Sequence, residues 1–145
     1  MNTISSILAR KGTDTVSVAP GTTVLEALRL MAEKNIGSVI VLDNNHYVGL
    51  VSERDYSRKV ILKGKHSSDT PVSEIMSSDL PAVGPRDTVE HCMSLMTKNN
   101  IRYIPVFEEG KLAGIISMSD VVKETILSQK ETISQLENYI HSGLS

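Results

Sequence analysis

Apolar positions along this 145-residue chain change their period in a fixed order, and they do so twice. Thr15 to Val18, just ahead of a Pro-containing turn, predicts a short strand. Val24, Ala27, Leu28 and Met31 then recur at i, i+3, i+4 and i+7, which places them on one face of an amphipathic helix. Ser38 to Leu42 reads as a buried strand, Asp43-Asn44-Asn45 as a turn and Tyr47 to Val51 as a second strand. A further helix begins at Ser52-Glu53-Arg54-Asp55.

An offset of 65 residues, set by aligning Val24 with Val89, brings out the second copy without a gap. It pairs Pro20 with Pro85, Thr23 with Thr88, Met31 with Met96, Asn35 with Asn100, Gly49 with Gly114, Ser52 with Ser117 and Asp55 with Asp120. Val89, Cys92, Met93 and Met96 repeat the helical spacing, Tyr103 to Phe107 and Leu112 to Ile116 repeat the two strands, and Glu109-Gly110 is the turn between them. The leading strand is weaker here, reduced to Ala82 and Val83. Thr23 with Glu26, and Asp87 with Glu90, have capping-box spacing at the helix starts. Ile4 to Leu8 and Val72 to Met76 are read as an apolar lead-in to each copy.

The expectation is therefore an α/β (α+β) protein of two strand-helix-strand-strand-helix repeats. The first spans 1–62, a polar linker 63–70, the second repeat 71–127, and a C-terminal helical extension 128–145. A unit of about 60 residues buries too little surface alone, so the copies are expected to pack through their sheets. The tail from Val121 to Ile140 carries Val122, Ile126, Ile133, Leu136 and Ile140 near one stripe, which predicts a helix that packs on a partner subunit.

Composition narrows the classes. Aromatics make up only 3% of residues, and 15 Lys and Arg stand against 17 Asp and Glu with no basic block, so nucleic acid is not the expected partner. No apolar run approaches the ~20 residues of a membrane span, and Met1 to Arg10 lacks the apolar core of a signal peptide. With Cys92 as the only cysteine no internal disulfide is possible, and a cytoplasmic protein is expected.

The sharpest constellation is Gly49-Leu50-Val51-Ser52-Glu53-Arg54-Asp55, echoed by Gly114-Ile115-Ile116-Ser117-Met118-Ser119-Asp120. Two readings stand side by side. Ser and Asp three residues apart form a helix cap, the carboxylate sitting at the positive end of the helix dipole. Alternatively Asp55 and Asp120 accept hydrogen bonds from the cis-diol of a ribose, while Ser52, Ser117 and free helix N–H groups hold a phosphate. His46, His66, His91 and His141 lack metal-ligand spacing, so no metal is expected, and Cys92 lies on a core helix face. The glycines form neither a phosphate loop nor a dinucleotide fingerprint.

Gly-x-x-Ser-x-x-Asp closing a strand-helix-strand-strand unit, present as a pair, resembles the cystathionine beta-synthase (CBS) domain over nearly the whole chain. The run Gly-Leu-Val-Ser-Glu-Arg-Asp-Tyr-Ser-Arg-Lys is similar to small stand-alone bacterial CBS-pair proteins. The resemblance implies a disc with pseudo-two-fold symmetry, a Bateman module, whose clefts bind AMP, ADP, ATP, NAD(H) or S-adenosylmethionine. It implies ribose contacts from Asp55 and Asp120, and phosphate contacts from Ser52, Arg54, Arg58, Arg102, Ser117 and Ser119. Adenine is then expected near Val16, Ile36, Gly37 and Ser38, or near Pro81, Ile101, Tyr103 and Met118. Lys59 shares a helix face with Asp55 and Arg58 and is expected to be solvated. Arg102 matches Gly37, so the site with Arg102 and Asp120 is expected to prefer the more anionic ligand.

The function implied is a regulatory adenine-nucleotide module, a homodimer that reports energy or redox state to a downstream protein, and not an enzyme. The alternative is a structural dimerisation module whose Ser-x-x-Asp steps are caps only.

Overall fold

The computed structural model describes residues 2–144, with side-chain surroundings through His141. Its elements are α1 (Ile4–Lys11), β1 (Ser17–Val18), α2 (Val24–Lys34), β2 (Ser38–Asp43), β3 (His46–Ser52), α3 (Glu53–Tyr56, running on into a π-helical turn at Ser57–Ile61), α4 (Val89–Asn99), β4 (Tyr103–Glu108), β5 (Lys111–Ser117) and α5 (Met118–Leu144). The mixed α/β class agrees with the expected order of elements.

The chain forms two compact units, Asp14–Leu80 and Met1–Thr13 joined to Pro81–Ser145. In the first, β2 pairs with β1 in parallel and with β3 antiparallel. Val24, Ala27 and Met31 of α2 bury against Val39, Val41 and Val51 of this sheet. In the second, β4 and β5 form an antiparallel pair, and Cys92 and Met96 of α4 bury with Ile104, Val106 and Ile116.

The repeat extends to backbone detail. Asn35 and Asn100 end α2 and α4 in the left-handed conformation, with φ of 55° and 52°. Asn44-Asn45 and Glu109-Gly110 turn the two hairpins with positive φ throughout, the backbone a tight hairpin turn demands. Each hairpin also has its irregularity at the matched place, Val41/Leu42 and Val106/Phe107. Thr23 caps α2 by accepting from the N–H of Glu26 at 3.2 Å. The cap of α4 falls one residue later than the spacing of Asp87 and Glu90 suggested. Thr88 accepts from the N–H of His91 at 3.0 Å, while the Asp87 carboxylate closes the preceding turn on the N–H of Gly84 at 2.7 Å.

The leading strands differ for a covalent reason. The N–H of Ile40 donates to the carbonyl of Val16 at 2.9 Å, which extends the pairing of β1 with β2. Its match is Pro105, which has no N–H to donate. The predicted strand at Ala82 and Val83 therefore shrinks to a single parallel bridge between Val83 and Val106. On the other side the strand predicted over Thr15 to Val18 is confined to Ser17–Val18.

The lead-in segments are exchanged relative to their order in the chain. As sequence repeats the two copies follow one another, but α1 belongs to the unit built from the second copy, and Val72–Met76 to the unit built from the first. Ile4, Ile7 and Leu8 join the second-copy core, and the N–H groups of Ile4 and Ser5 donate to the carbonyls of Asp87 and Pro85, both at 2.9 Å. Ser77 and Leu50 exchange backbone hydrogen bonds of 2.9 and 3.0 Å in the other unit. The polar run 63–70 is also tied to that unit: Ser67 and Thr70 accept from Leu25 and Val24 at the start of α2, and Thr70 is buried.

This exchange explains the motif glycines. A Cβ on Gly114 would lie 2.8 Å from Cδ2 of Leu8, and one on Gly49 would lie 2.9 Å from Sδ of Met76 and 3.1 Å from the carbonyl oxygen of Ser77. Each glycine lets a lead-in cross the last strand at close range. Matched charges of opposite sign hold the lead-ins. Glu124, buried to 4% exposure, accepts from Asn2 at 3.0 Å and pairs with Arg10 at 3.1 Å. Its counterpart Lys59 donates instead to the carbonyl of Ile75 at 2.9 Å.

Candidate functional site

Both Ser-x-x-Asp steps stand where a strand ends and a helix begins. Ser52 and Asp55 form a full capping box. The Asp55 N–H donates to Oγ of Ser52 at 3.2 Å, and Oδ2 of Asp55 accepts from the Ser52 N–H at 2.9 Å and its hydroxyl at 3.1 Å. Ser117 and Asp120 repeat the two backbone bonds, the Asp120 N–H to Oγ of Ser117 at 3.1 Å and the Ser117 N–H to Oδ2 of Asp120 at 2.8 Å. The carboxylates are thereby fixed in direction, with side chains only 12% and 15% exposed.

The rest of each carboxylate distinguishes the two sites. Oδ1 of Asp55 receives the Lys59 ammonium at 3.1 Å and the Ser77 hydroxyl at a long 3.4 Å, so both oxygens are engaged. At Asp120 the Lys11 ammonium binds the already occupied Oδ2 at 2.7 Å and the carbonyl of Ile115 at 3.0 Å. Oδ1 of Asp120 has no hydrogen bond among the described residues of its unit. Both ammonium groups are partly exposed, and such pairs typically contribute about 1 kcal/mol or less, an amount that a ligand can readily exchange.

Lys59 is therefore only partly the solvated residue its helix face suggested: it keeps some exposure but shares that face with Asp55, as the i,i+4 spacing requires, and pairs with it. Lys11 and Ser77 were not marked by sequence. Both arrive on exchanged lead-ins, and no local pattern shows which copy a lead-in will join.

Each unit brings its own set of the expected residues together. In Asp14–Leu80, Val16 lines β2, Ser38 stands opposite Ser52 across β2 and β3, and the N–H of Glu53 donates to the carbonyl of Gly37 at 3.1 Å. The N–H of Ile36 is spent on the carbonyl of Met31, closing α2 at 2.9 Å. Arg58 is exposed and Arg54 half-buried. In the other unit the same joint is built from Tyr103 opposite Ser117, Ile101 closing α4 on Met96, and the N–H of Met118 donating to the carbonyl of Arg102 at 2.8 Å. That bond anchors the Arg102 backbone at the start of α5 and leaves its side chain exposed. Ser119 is exposed, and Pro81, Tyr103 and Met118 are half-buried. A separate pocket of about 350 Å³ between α2 and α3 is lined by Leu28, Met31, Ala32, Glu53, Tyr56 and Ser57, and neither Asp55 nor Ser52 reaches it.

Cys92 is fully buried on α4. Burial, with the negative charges of Asp87 and Asp120 nearby, raises its thiol from 9.0 to about 11. It is a packed thiol and not an activated nucleophile. Among the described residues no group of His, Cys, Asp and Glu is arranged to hold a metal, and no helix is long and apolar enough to cross a membrane.

The CBS domain family model matches residues 5–61 and 72–126. The chain is 33% identical to the CBS domain-containing protein CBSX3, mitochondrial, of Arabidopsis thaliana, over 97% of this chain and 73% of that one. It is similar to a putative signal-transduction protein with CBS domains from Burkholderia ambifaria, at 41% identity and a TM-score of 0.85, covering 88% of this chain and 96% of that one. The CBS domain pair of protein MJ0100, solved in complex with 5'-methylthioadenosine and S-adenosyl-L-methionine, shares the fold with a TM-score of 0.75 at 21% identity, covering 86% of this chain and 99% of that one.

Proposed function

Because this chain belongs to the CBS domain family and carries that domain twice, we propose that it is a regulatory module that binds an adenine nucleotide and has no chemistry of its own. The ligands of this reading are AMP, ADP, ATP or NAD(H), reporting energy or redox state to a downstream protein. The observation that carries it is the Asp120 carboxylate: held rigid by Ser117, nearly buried, and with Oδ1 free of hydrogen bonds from the described residues of its unit. A ribose presents two adjacent hydroxyls, and an oriented carboxylate accepts both.

One hydroxyl donates to Oδ1 and the other takes the place of Lys11 on Oδ2. The displaced ammonium, together with Arg102, Ser117 and Ser119, is then available to the phosphates. Ile101, Tyr103, Met118 and Pro81 supply the apolar surface and backbone groups for adenine. In the other unit Val16, Ile36, Gly37 and Ser38 take that part, with Ser52, Arg54 and Arg58 for phosphate. Asp55 must shed both Lys59 and Ser77 there, so its site binds more weakly. The complex of protein MJ0100 with two adenosine-containing ligands is consistent with this chemical class.

Signalling follows from differential affinity. Lys11 is the last residue of α1, so a ligand that takes Asp120 from it also frees the end of α1. Any state of the lead-in that favours the released lysine is then favoured by the ligand. The same reading makes the protein a cytoplasmic homodimer, the buried unpaired thiol of Cys92 suiting a reducing compartment.

Titration calorimetry with AMP, ATP and NADH tests it. Binding is expected in the micromolar range, lost in Asp120→Ala and weakened less in Asp55→Ala. Absence of binding below millimolar by the wild-type protein would overturn the reading. The second reading, a structural module, is favoured by the complete capping box at Asp55; it requires both alanine variants to lose about 1 kcal/mol of stability each with no change in any nucleotide-induced thermal shift.

A further inference from the structure

The last helix leaves its unit unsupported. Val121 and Glu124 of α5 are buried, but every residue from Gln129 through His141 is exposed. An isolated helix of that length is marginal in water, so this segment needs a surface to lie against. It also exposes large apolar side chains in an ordered way: Val122 at 47%, Ile126 at 46%, Ile133 at 55%, Leu136 at 57% and Ile140 at 56%.

Their spacing is a heptad. Ile126, Ile133 and Ile140 occupy a positions, Gln129 and Leu136 the d positions between them, and Val122 the d position before the first. Isoleucine at every a position, with leucine at the d position of Leu136, fits the combination that favours two parallel strands. Gln129 chooses the direction. In a parallel pair it meets Gln129 of the partner subunit, and each amide satisfies the other. An antiparallel pair that overlaps the whole stripe sets Gln129 against Ile133 of the partner subunit, and brings Lys130 against Lys130 of the partner subunit. The flanks agree: in the parallel pair Thr125 lies beside Lys130 of the partner subunit and Thr132 beside Glu137 of the partner subunit, so no like charges meet.

We propose that α5, from Val122 to Ile140, pairs in parallel and in register with the same helix of a second copy of this chain, forming a two-stranded coiled coil. This deepens the homodimer reading and rests on it. The coil joins two copies through the helix whose first turn holds Asp120, so the ligand site and the subunit seam lie on one continuous element.

The test uses sedimentation of the full-length protein, the Ile133→Asp/Leu136→Asp double variant, and Leu136→Cys under oxidising conditions. Both altered side chains are exposed, so the units fold, which far-ultraviolet circular dichroism verifies. The wild type is expected to be a dimer, and the double variant to raise its dissociation constant on the order of 100-fold. Leu136→Cys is expected to cross-link to itself nearly quantitatively, since in-register d positions bring the two thiols within disulfide reach, whereas the wild type with its buried Cys92 does not. A dimer that survives the double variant, fails to cross-link, or is replaced by a larger α5-held assembly overturns the coil and leaves the homodimer reading standing. A wild type that is monomeric at all concentrations overturns both.

Discussion

Replacing the two motif glycines by alanine sets their equivalence in the sequence against their difference in the structure. In Gly49→Ala the new methyl group meets Sδ and Cγ of Met76 at 2.9 and 3.0 Å and the Ser77 carbonyl oxygen at 3.1 Å, where ordinary contacts begin near 3.4 Å. Met76 is able to swing away. The carbonyl is not, because Ser77 is tied to Leu50 by two backbone hydrogen bonds. Overpacking of this kind costs about 1–3 kcal/mol, offset by about 0.5–1 kcal/mol from the smaller backbone entropy of alanine, which leaves a net loss of roughly 1–2 kcal/mol. In Gly114→Ala the only close atom is Cδ2 of Leu8 at 2.8 Å, the far end of a side chain. Turning it off its rotamer costs about 0.5–1.5 kcal/mol, nearly cancelled by the same entropy gain. At about 2–4 °C per kcal/mol for a protein of this size, Gly49→Ala is expected to lower Tm by roughly 2–8 °C and Gly114→Ala by less, at most about 4 °C. Scanning calorimetry on both variants measures this. Met76→Ala in the Gly49→Ala background should recover only part of the loss, because the carbonyl remains. Equal losses, or a larger loss for Gly114→Ala, would refute the assignment of these glycines to the crossing lead-ins.

Further expectations concern the charges and the buried thiol. Glu124→Ala strips Arg10 and Asn2 of their acceptor and should cost about 1–3 kcal/mol in urea unfolding, with hydrogen exchange rising along α1 before the rest of its unit; uniform exchange would count against a local clamp. Lys11→Met should weaken AMP binding while leaving adenosine binding equal or tighter, since a competitor for Asp120 and a phosphate ligand are removed together; parallel loss for both ligands would separate Lys11 from the phosphate. Cys92 has a folded pKa above its unfolded one, so the folded state binds the proton more tightly. Its contribution is complete below pH 9 and declines as the pH rises toward about 11. Cys92→Ala should therefore flatten the alkaline loss of stability, and iodoacetamide at pH 8 should label the native wild-type protein only at its rate of opening.

Periodicity and repetition make much of the fold legible in the sequence itself. Hydrophobic spacing is a property of each short segment, and burying one face of it is what folding does, so α2, α4 and both hairpins stand where the pattern put them. The Ser-x-x-Asp joints were equally visible, because a cap is made by residues three apart. Local chemistry also misled where one residue overrode a pattern: Pro105 has no N–H to give the strand before it, which keeps only the bridge of Val83 to Val106, and Thr88 takes the cap from Asp87.

What tertiary structure alone decided is which distant segment completes each site. Lys11 reaches Asp120 across 109 positions of sequence, and Ser77 reaches Asp55 across 22, because each lead-in packs with the copy it does not precede. A repeated sequence makes its two motifs alike. Their surroundings differ: Lys59, one turn on, and Ser77 of the lead-in both engage Oδ1 of Asp55, whereas Lys11 arrives on Oδ2 of Asp120, whose Oδ1 has no hydrogen bond among the described residues of its unit.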